Sequence, residues 1–267
     1  MARIFFCGDN HGVFEHVLEA VRSYRPAAVV FLGDLQPQRP LELELQRILD
    51  LTEVWWIHGN HDTDSDVDYR NLFGSALADR NLHGRVSVIA GLRIAGLGGI
   101  FRGSIWWPGD ASRFRNYAEY ALMERNSPGQ KRRLSKMDLV MRQSVPSSLD
   151  DSLQEATTNG RLRKHRSSIF PDDYACLMGR RADILVTHEA PSCHPHGFDA
   201  IDELARSLGA RATFHGHHHD RLDYSGHRER LDFSAYGVGL CGITDQDGRV
   251  IRAGEFDGLR KYRQDSS

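Results

Sequence analysis

The sequence predicts an α/β layered fold, because short apolar runs that suit β-strands alternate with longer segments whose apolar residues recur at helical spacing. The runs that predict strands are residues 4–7, 28–32, 54–57, 86–89, 92–97, 184–187, 212–214, 236–243 and 249–254. The segments that predict helices are residues 13–24, 41–51, 114–125, 131–143 and 200–208. Gly91 suits a tight turn between the fourth and fifth strands, and the last two strands predict a β-meander.

The composition is that of an ordinary globular protein of 267 residues, and its formal net charge of −2 does not by itself require a nucleic-acid partner. No apolar run approaches the roughly 20 residues that span a bilayer, and the apolar stretch at the N-terminus is too short for a signal peptide. We therefore expect a cytoplasmic protein with no membrane partner. The four cysteines are scattered and form no CxxC pair, which argues against a disulfide framework and a thiolate zinc site.

A basic stretch interrupts the strand pattern between about residues 111 and 182. It carries fourteen Lys and Arg residues against eight Asp and Glu residues, although the chain as a whole is slightly acidic. We predict one domain over residues 1–267, with this stretch as a helical insertion or cap. Its basic clusters suit solvated helix faces, and beside a phosphate-handling site they would also attract an anion such as a nucleotide or an RNA end.

Side chains that can bind metals follow five of the predicted strands. They are Asp9 and His11, then Asp34, then Asn60 and His61, then His188, and finally His217 and His219. Because the carboxyl ends of parallel strands meet at one edge of a sheet, we expect these residues to converge although some lie 200 positions apart.

The residue types suit a particular chemistry. Carboxylates, an amide oxygen and imidazoles bind ions such as Mn²⁺, Fe or Zn²⁺ rather than copper in a thiolate pocket. Two such ions about 3.5–4 Å apart share a carboxylate and a water, whose pKa they lower so that it becomes a nucleophile. The same ions neutralise the oxygens of a phosphate during its transfer.

The ordered strings GDNHG, GD, GNHD, THE and GHHH resemble the signature of the calcineurin-like metallophosphoesterases. The resemblance covers about residues 3–100 and 183–255. It implies a four-layer α-β-β-α sandwich of two mixed sheets with the helical insertion. It also implies hydrolysis of a phosphomonoester or phosphodiester by an enzyme that uses two divalent ions. The expected substrate is a phosphorylated small molecule or a nucleotide. Manganese is the favoured ion, and iron, zinc, nickel and cobalt are alternatives.

The resemblance also implies a role for each site residue. One ion is held by Asp9, His11, Asp34 and His219. The second is held by Asp34, Asn60, His188 and His217, so that Asp34 bridges the two. His61 is then not a ligand but contacts the phosphate and assists the leaving oxygen, and Asn60 also contacts the phosphate.

The sequence departs from the family pattern at two positions. Pro37 stands where the protein Ser/Thr phosphatase branch has an Asp that supports the catalytic histidine, so we do not predict a phosphoprotein phosphatase. His218 stands where many members have a small residue, which leaves open which imidazole binds metal.

Other interpretations of single residues remain open. Taken alone, Asp9, His11, Asp34 and Asn60 also suit turns and loops, and we interpret Asp62 as a structural acceptor and His58 as a core histidine. Trp106 and Trp107 suit either base stacking or packing. The alternative function is a catalytically weak binding module of the same fold, which docks nucleic acid or a protein partner through the basic insertion.

Overall fold

The computed structural model describes residues 3–126 and 160–258, which form two five-stranded sheets with flanking helices. The strands are β1 Ile4–Cys7, β2 Ala28–Leu32, β3 Glu53–Ile57, β4 Arg85–Ile89, β5 Leu92–Leu97, β6 Ile184–Thr187, β7 Ala212–His215, β8 Ser234–Gly237, β9 Ile243–Asp245 and β10 Val250–Arg252. The α-helices are α1 Glu15–Tyr24, α2 Leu41–Glu44, α3 Asp66–Phe73, α4 Tyr117–Asn126, α5 Gly160–His165, α6 Pro171–Ala175, α7 Asp199–Leu208 and α8 Arg228–Leu231.

Both sheets are mixed. In the first, the order is β10-β9-β1-β2-β3, with β1, β2 and β3 parallel and β9 antiparallel to β1. In the second, the order is β4-β5-β6-β7-β8, and β5 to β8 are parallel. The predicted site residues follow the carboxyl ends of five of these strands, β1, β2 and β3 in the first sheet and β6 and β7 in the second.

The alternation of side chains along each strand builds a core between the sheets. Ile4 and Phe6 of β1 point towards the second sheet, where the ring of Phe6 stacks on Phe214 with 3.9 Å between centroids. Their neighbours Phe5 and Cys7 point the other way and pack beneath α1. Burial of each such side chain stabilises the fold by roughly 1.5–3 kcal/mol.

The outer face of the second sheet is covered in the same way. Leu185 of β6 packs against the apolar side of α7, which presents Ile201, Leu204 and Leu208. Helix, sheet, sheet and helix thus follow one another in layers, which confirms the predicted four-layer α-β-β-α sandwich.

Two predicted elements are wrong. Residues 236–243 are not one strand, because the chain ends β8 at Gly237, crosses between the sheets and enters the first sheet at Ile243. The crossing passes so close to Gly8 that a side chain there would collide with the carbonyl oxygen of Gly239. Residues 41–51 are α-helical only in α2, and turns follow.

The described ends of the predicted insertion contact the main domain. Ile169 donates its amide to Ile100 O at 3.0 Å, and Leu177 and Ala182 are buried beneath the second sheet. The predicted helix at residues 131–143 lies outside the described residues. The insertion over residues 111–182 and the single-domain organisation stay predictions. Within the described ranges, no helix is long and apolar enough to cross a membrane.

Candidate metal centre

The predicted site residues converge between the ends of the two sheets. Asp9 follows β1, Asp34 follows β2, Asn60 and His61 follow β3, His188 follows β6, and His217 and His219 follow β7. Several of them adopt left-handed backbone conformations that side chains rarely take, with φ of 43° at His11, 48° at Asp34, 72° at His217 and 60° at His219. Such conformations carry local strain and concentrate at functional sites.

Two glycines allow the strand ends to approach each other. Gly33 has a φ of 102°, and a Cβ there would collide with the Nδ1 atom of His188. A Cβ on Gly59 would collide with the carboxylate of Asp34 and lie 2.6 Å from the His188 ring. Glycine is therefore required at both positions for Asp34 and His188 to meet.

The first group of potential ligands comprises His11, Asp34 and His219, whose donor atoms lie within 4.8 Å of one another. Nδ1 of His11 donates to Oε1 of Gln36 at 2.6 Å, which leaves Nε2 of His11 with its lone pair directed into the group. That atom is 3.0 Å from Nε2 of His219. In the metal-free protein one ring must donate a proton to the other, and a cation bound by both would replace that proton.

The second group comprises Asp34, His188 and His217, with donor atoms again within 4.8 Å. Nδ1 of His188 donates to Leu32 O at 2.8 Å, so its Nε2 is the ring atom that faces the group. That Nε2 is 3.4 Å from Asp34 Oδ2 and 3.2 Å from the amide oxygen of Asn60. A backbone carbonyl that orients the ring in this way is typical of metal-binding histidines.

Asp9 lies beside both groups and belongs to neither. Its carboxylate accepts the backbone amide of His217 at 2.9 Å and is 3.6 Å from Nε2 of His219. Asp9 is completely buried. Its predicted role as a ligand of the first ion therefore remains a prediction.

Burial and neighbouring charges shift the pKa values of several residues of the site. Burial raises the pKa of Asp9 to about 7, and the charge of His188 opposes that shift. Burial alone would lower the pKa of His188, but the charge of Asp34 and its hydrogen bond raise that pKa to about 10. Burial lowers the pKa of His217 to about 3, which keeps this imidazole neutral and able to bind an ion. Buried carboxylates and oriented imidazoles fit divalent ions of the borderline class, and an ion that bound His188 would displace its proton.

His61 stands at the exposed side of the centre, with 46 % of its side chain exposed. Its amide donates to Asp34 Oδ1 at 2.8 Å, and its Nδ1 pairs with Asp64 Oδ2 at 2.6 Å. Burial lowers its pKa, but the hydrogen bond to Asp64 and the charge of Asp34 outweigh burial and raise it. The sequence analysis missed Asp64, although its place three residues after His61 was a usable signal.

Arg102 is a second residue that the sequence analysis missed. Its guanidinium donates to Ser168 Oγ at 3.0 Å and to Ser167 Oγ at 3.4 Å, and Ser167 in turn donates to Asn60 O at 3.3 Å. Burial lowers the pKa of Arg102, and the carboxylates of Glu189, Asp64 and Asp34 oppose this shift. Arg102 is therefore linked through Ser167 to the loop that carries Asn60. In the sequence, only the position of Arg102 in the loop after β5 indicated that this residue could lie near the site.

The remaining candidates from the sequence have structural roles. Asp62 is completely buried and accepts the amides of Gln36 and Gly59 at 2.8 Å each, as an acceptor should. His58 is a buried core histidine beside His83. His218 stacks on His194, with 3.8 Å between centroids.

Trp106 and Trp107 have different environments in the structure. Trp106 packs between Phe101 and Tyr174, as the packing interpretation expects. The neighbouring Trp107 is instead 47 % exposed.

Comparisons with known proteins place this geometry in a family. The family model described as calcineurin-like phosphoesterase matches residues 2–221. An uncharacterized protein of Haemophilus influenzae is 36 % identical over 248 residues, which cover 93 % of this chain and 96 % of that protein. A crystal structure of TT1561 of Thermus thermophilus shares the fold, with a TM-score of 0.50, 12 % identity and coverage of 95 % of this chain and 98 % of that one. The chain therefore belongs to the calcineurin-like phosphoesterases, a family of metal-dependent enzymes that hydrolyse phosphoesters.

Proposed function

We propose that this protein hydrolyses a phosphomonoester or phosphodiester at a centre of two divalent ions that share Asp34. The observation that carries the proposal is the presence of Asp34 in two groups of potential ligands, one with His11 and His219 and the other with His188 and His217. Asp9 and Asn60 complete the two sets. The ring orientations of His11 and His188 support the assignment, since both aim Nε2 at the space around Asp34.

When bound, the two ions supply a hydroxide nucleophile at neutral pH and offset the charge of the phosphate oxygens. His61 then donates a proton to the leaving oxygen, and Asp64 holds the ring for that transfer. Arg102 and the amide of Asn60 face the phosphate and favour its dianionic form. His217 stays neutral and therefore remains able to bind the second ion.

Manganese is the ion that we propose, with iron, zinc, nickel and cobalt as alternatives. Nitrogen and oxygen donors bind all of these ions, so the set of ligands limits the choice to divalent ions of this kind but does not select one of them. The substrate that we propose is a phosphorylated small molecule or a nucleotide.

The binding-module alternative depends on the basic insertion, and part of that insertion is engaged internally. Arg166 pairs with Asp66 at 2.7 Å and lies over the ring of Tyr69, and Arg163 is 3.7 Å from the same carboxylate. These contacts hold α5 against α3, which favours a structural use of the two arginines. Metal-independent binding of RNA that weakens steeply with salt, without any turnover, would favour the alternative.

The proposed activity is tested by metal reconstitution. The purified protein is stripped with a chelator, reloaded with each candidate ion and assayed with phosphomonoesters, phosphodiesters and nucleotides. We expect two ions per chain and turnover only after reloading. Asp9→Asn should reduce both metal content and turnover, while the exposed control Asp79→Asn should change neither. Turnover that survives complete removal of metal, or full loading without turnover on any ester, contradicts the proposal.

A further inference from the structure

A cavity of about 630 Å³ opens beside the candidate metal centre. His217 lines it on the side of the centre, and Trp107, Phe198, Phe101 and Pro108 form much of the remainder. Cavities of this volume accommodate ligands larger than a phosphate ion. Space for the organic part of an ester is thus continuous with the residues that would hold its phosphate.

The ring of Trp107 is the unusual feature of this cavity. It is 47 % exposed, although its neighbours Trp106 and Phe101 are packed into the fold. Its orientation is nevertheless held, because it packs edge-to-face with Phe198, with 5.0 Å between ring centroids and 66° between the planes. Phe198 is itself fixed against Phe101, with 4.8 Å between centroids. An indole held in this way presents a preformed flat surface for another ring.

The polar residues of the cavity exclude a purely aliphatic ligand. Glu189, Asp199 and His196 line it together with the aromatic rings. Glu189 is buried and accepts the amide of Phe101 at 2.9 Å, so it helps to hold the loop that carries the aromatic wall. A lipid chain would desolvate these groups without pairing them, whereas a planar ring with polar edges can stack and also form hydrogen bonds.

We propose that this cavity binds an aromatic ring in the organic part of the phosphoester, which stacks on Trp107 while the phosphate lies at His217 and Asp34. The inference rests on the proposed function and specifies its substrate class. A nucleobase can both stack and pair with the polar groups, whereas a simple aryl ring can only stack.

The test uses pairs of esters whose leaving alcohols are alike. Adenosine 5′-phosphate is compared with ribose 5-phosphate, and benzyl phosphate with cyclohexylmethyl phosphate, in each case with the metal-loaded protein. Within a pair the leaving oxygen is a primary alkoxide, so a difference in kcat/KM reports the ring and not the chemistry of departure. The first pair tests a nucleobase and the second an aryl ring.

The variants separate an aromatic surface from apolar area. Trp107→Leu should lower kcat/KM about 10-fold for the aromatic member of a pair and leave the other member nearly unchanged, as expected for a lost stacking contact. Trp107→Phe should retain most of the preference. Trp55→Leu is the control for loss of a tryptophan elsewhere, because Trp55 lies on β3, hydrogen-bonded to Glu53 at 3.0 Å, and does not line the cavity. It should leave the preference for the aromatic member unchanged. Metal content and the unfolding midpoint, measured for each variant, exclude loss of the fold.

A binding measurement complements the rates. Inhibition by phenylphosphonate should weaken in Trp107→Leu, while inhibition by cyclohexylphosphonate should not. If no ester is hydrolysed by the metal-loaded wild-type protein, the proposed function fails. If the wild type hydrolyses esters but Trp107→Leu affects both members of each pair equally, the proposed function stands and the aromatic site is overturned.

Discussion

The imidazole of His61 and the carboxylate of Asp64 form a pair at 2.6 Å between Nδ1 and Oδ2, across a single turn of 3₁₀ helix that spans His61–Thr63 and ends at Asp64. In our proposal this pair takes the place of the supporting Asp that the phosphoprotein phosphatase branch has at the position of Pro37. The carboxylate oxygen of Asp64 bonds Nδ1 of His61 and fixes the orientation of the ring, which leaves Nε2 to face the substrate in our proposal. Asp64 is thus a positioning residue in our proposal.

We expect Asp64→Asn to lower kcat roughly 10-fold with both metals retained, because His61 loses its orienting charge. On a His61→Ala background the same change should have little further effect, since coupled residues are not additive. The measurement is a double-mutant cycle on kcat, with metal analysis of each variant. Equal losses on the two backgrounds would show that Asp64 acts independently of His61.

His61→Ala should retain both ions and lose turnover by roughly 10²- to 10⁴-fold, the range of general acid–base catalysis. The loss should be smaller for an aryl phosphate with a low-pKa phenol than for an alkyl ester, whose alkoxide needs a proton to leave. His188→Ala should instead lose metal first and affect all substrates together. A missing ion in the His61 variant, or the same loss for aryl and alkyl esters, contradicts the assigned role.

Asp34→Asn should lower the metal content and the turnover more than His11→Ala does, because the proposed bridge serves both ions. Asparagine tolerates the left-handed backbone at this position, where φ is 48°, so the substitution tests charge more than conformation. Elemental analysis and turnover are measured side by side. Two fully bound ions and a near-normal rate in this variant would remove Asp34 from the centre.

Replacing residues 127–159 with a short flexible linker should leave a folded protein that binds metal and has altered substrate choice. The deletion must stop before α5, because Thr63 contacts Arg163 O and Ser167 Oγ beside the site. The measurements are the unfolding midpoint, metal content and the substrate profile. Loss of metal or of folding would mean that the deleted segment belongs to the core and that the predicted insertion is wrong.

Acid should destabilise the metal-free protein in part through His165. Burial lowers its pKa from 6.5 to about 4, and the charges of Arg102 and Lys164 act in the same direction. Because the folded pKa is below the unfolded value, the unfolded state binds more protons in this interval, and stability is lost as pH falls from about 6.5 towards 4. His165→Gln should reduce the slope of the free energy of unfolding against pH by up to one proton, measured by urea denaturation at pH 7, 6 and 5. An unchanged slope in His165→Gln would assign the effect to other histidines.

Much of the fold could be predicted because the relevant signals are local. The apolar runs at Ile4–Cys7, Ala28–Leu32 and Ile184–Thr187 begin and end in the structure at the predicted residues. Burial on both faces requires such runs, and the glycine or histidine after each one marks the end of the strand. The segment at residues 236–243 was predicted wrongly because apolar residues suit a crossing between two sheets as well as they suit a strand.

The sequence alone determined which side chains could act, since Asp9, His11, Asp34, Asn60, His61, His188, His217 and His219 follow strands in a recognisable order. Only the tertiary structure decided which of them face each other. His11 and His219 are 208 positions apart and meet at 3.0 Å because β1 and β7 lie in sheets that pack on each other. The link from Arg102 through Ser167 to Asn60 depends on the same packing. Gln36 reaches His11 from the loop after the neighbouring strand of the same sheet. A contact between distant residues is set by the relative placement of two sheets, and no local pattern of neighbours encodes that placement.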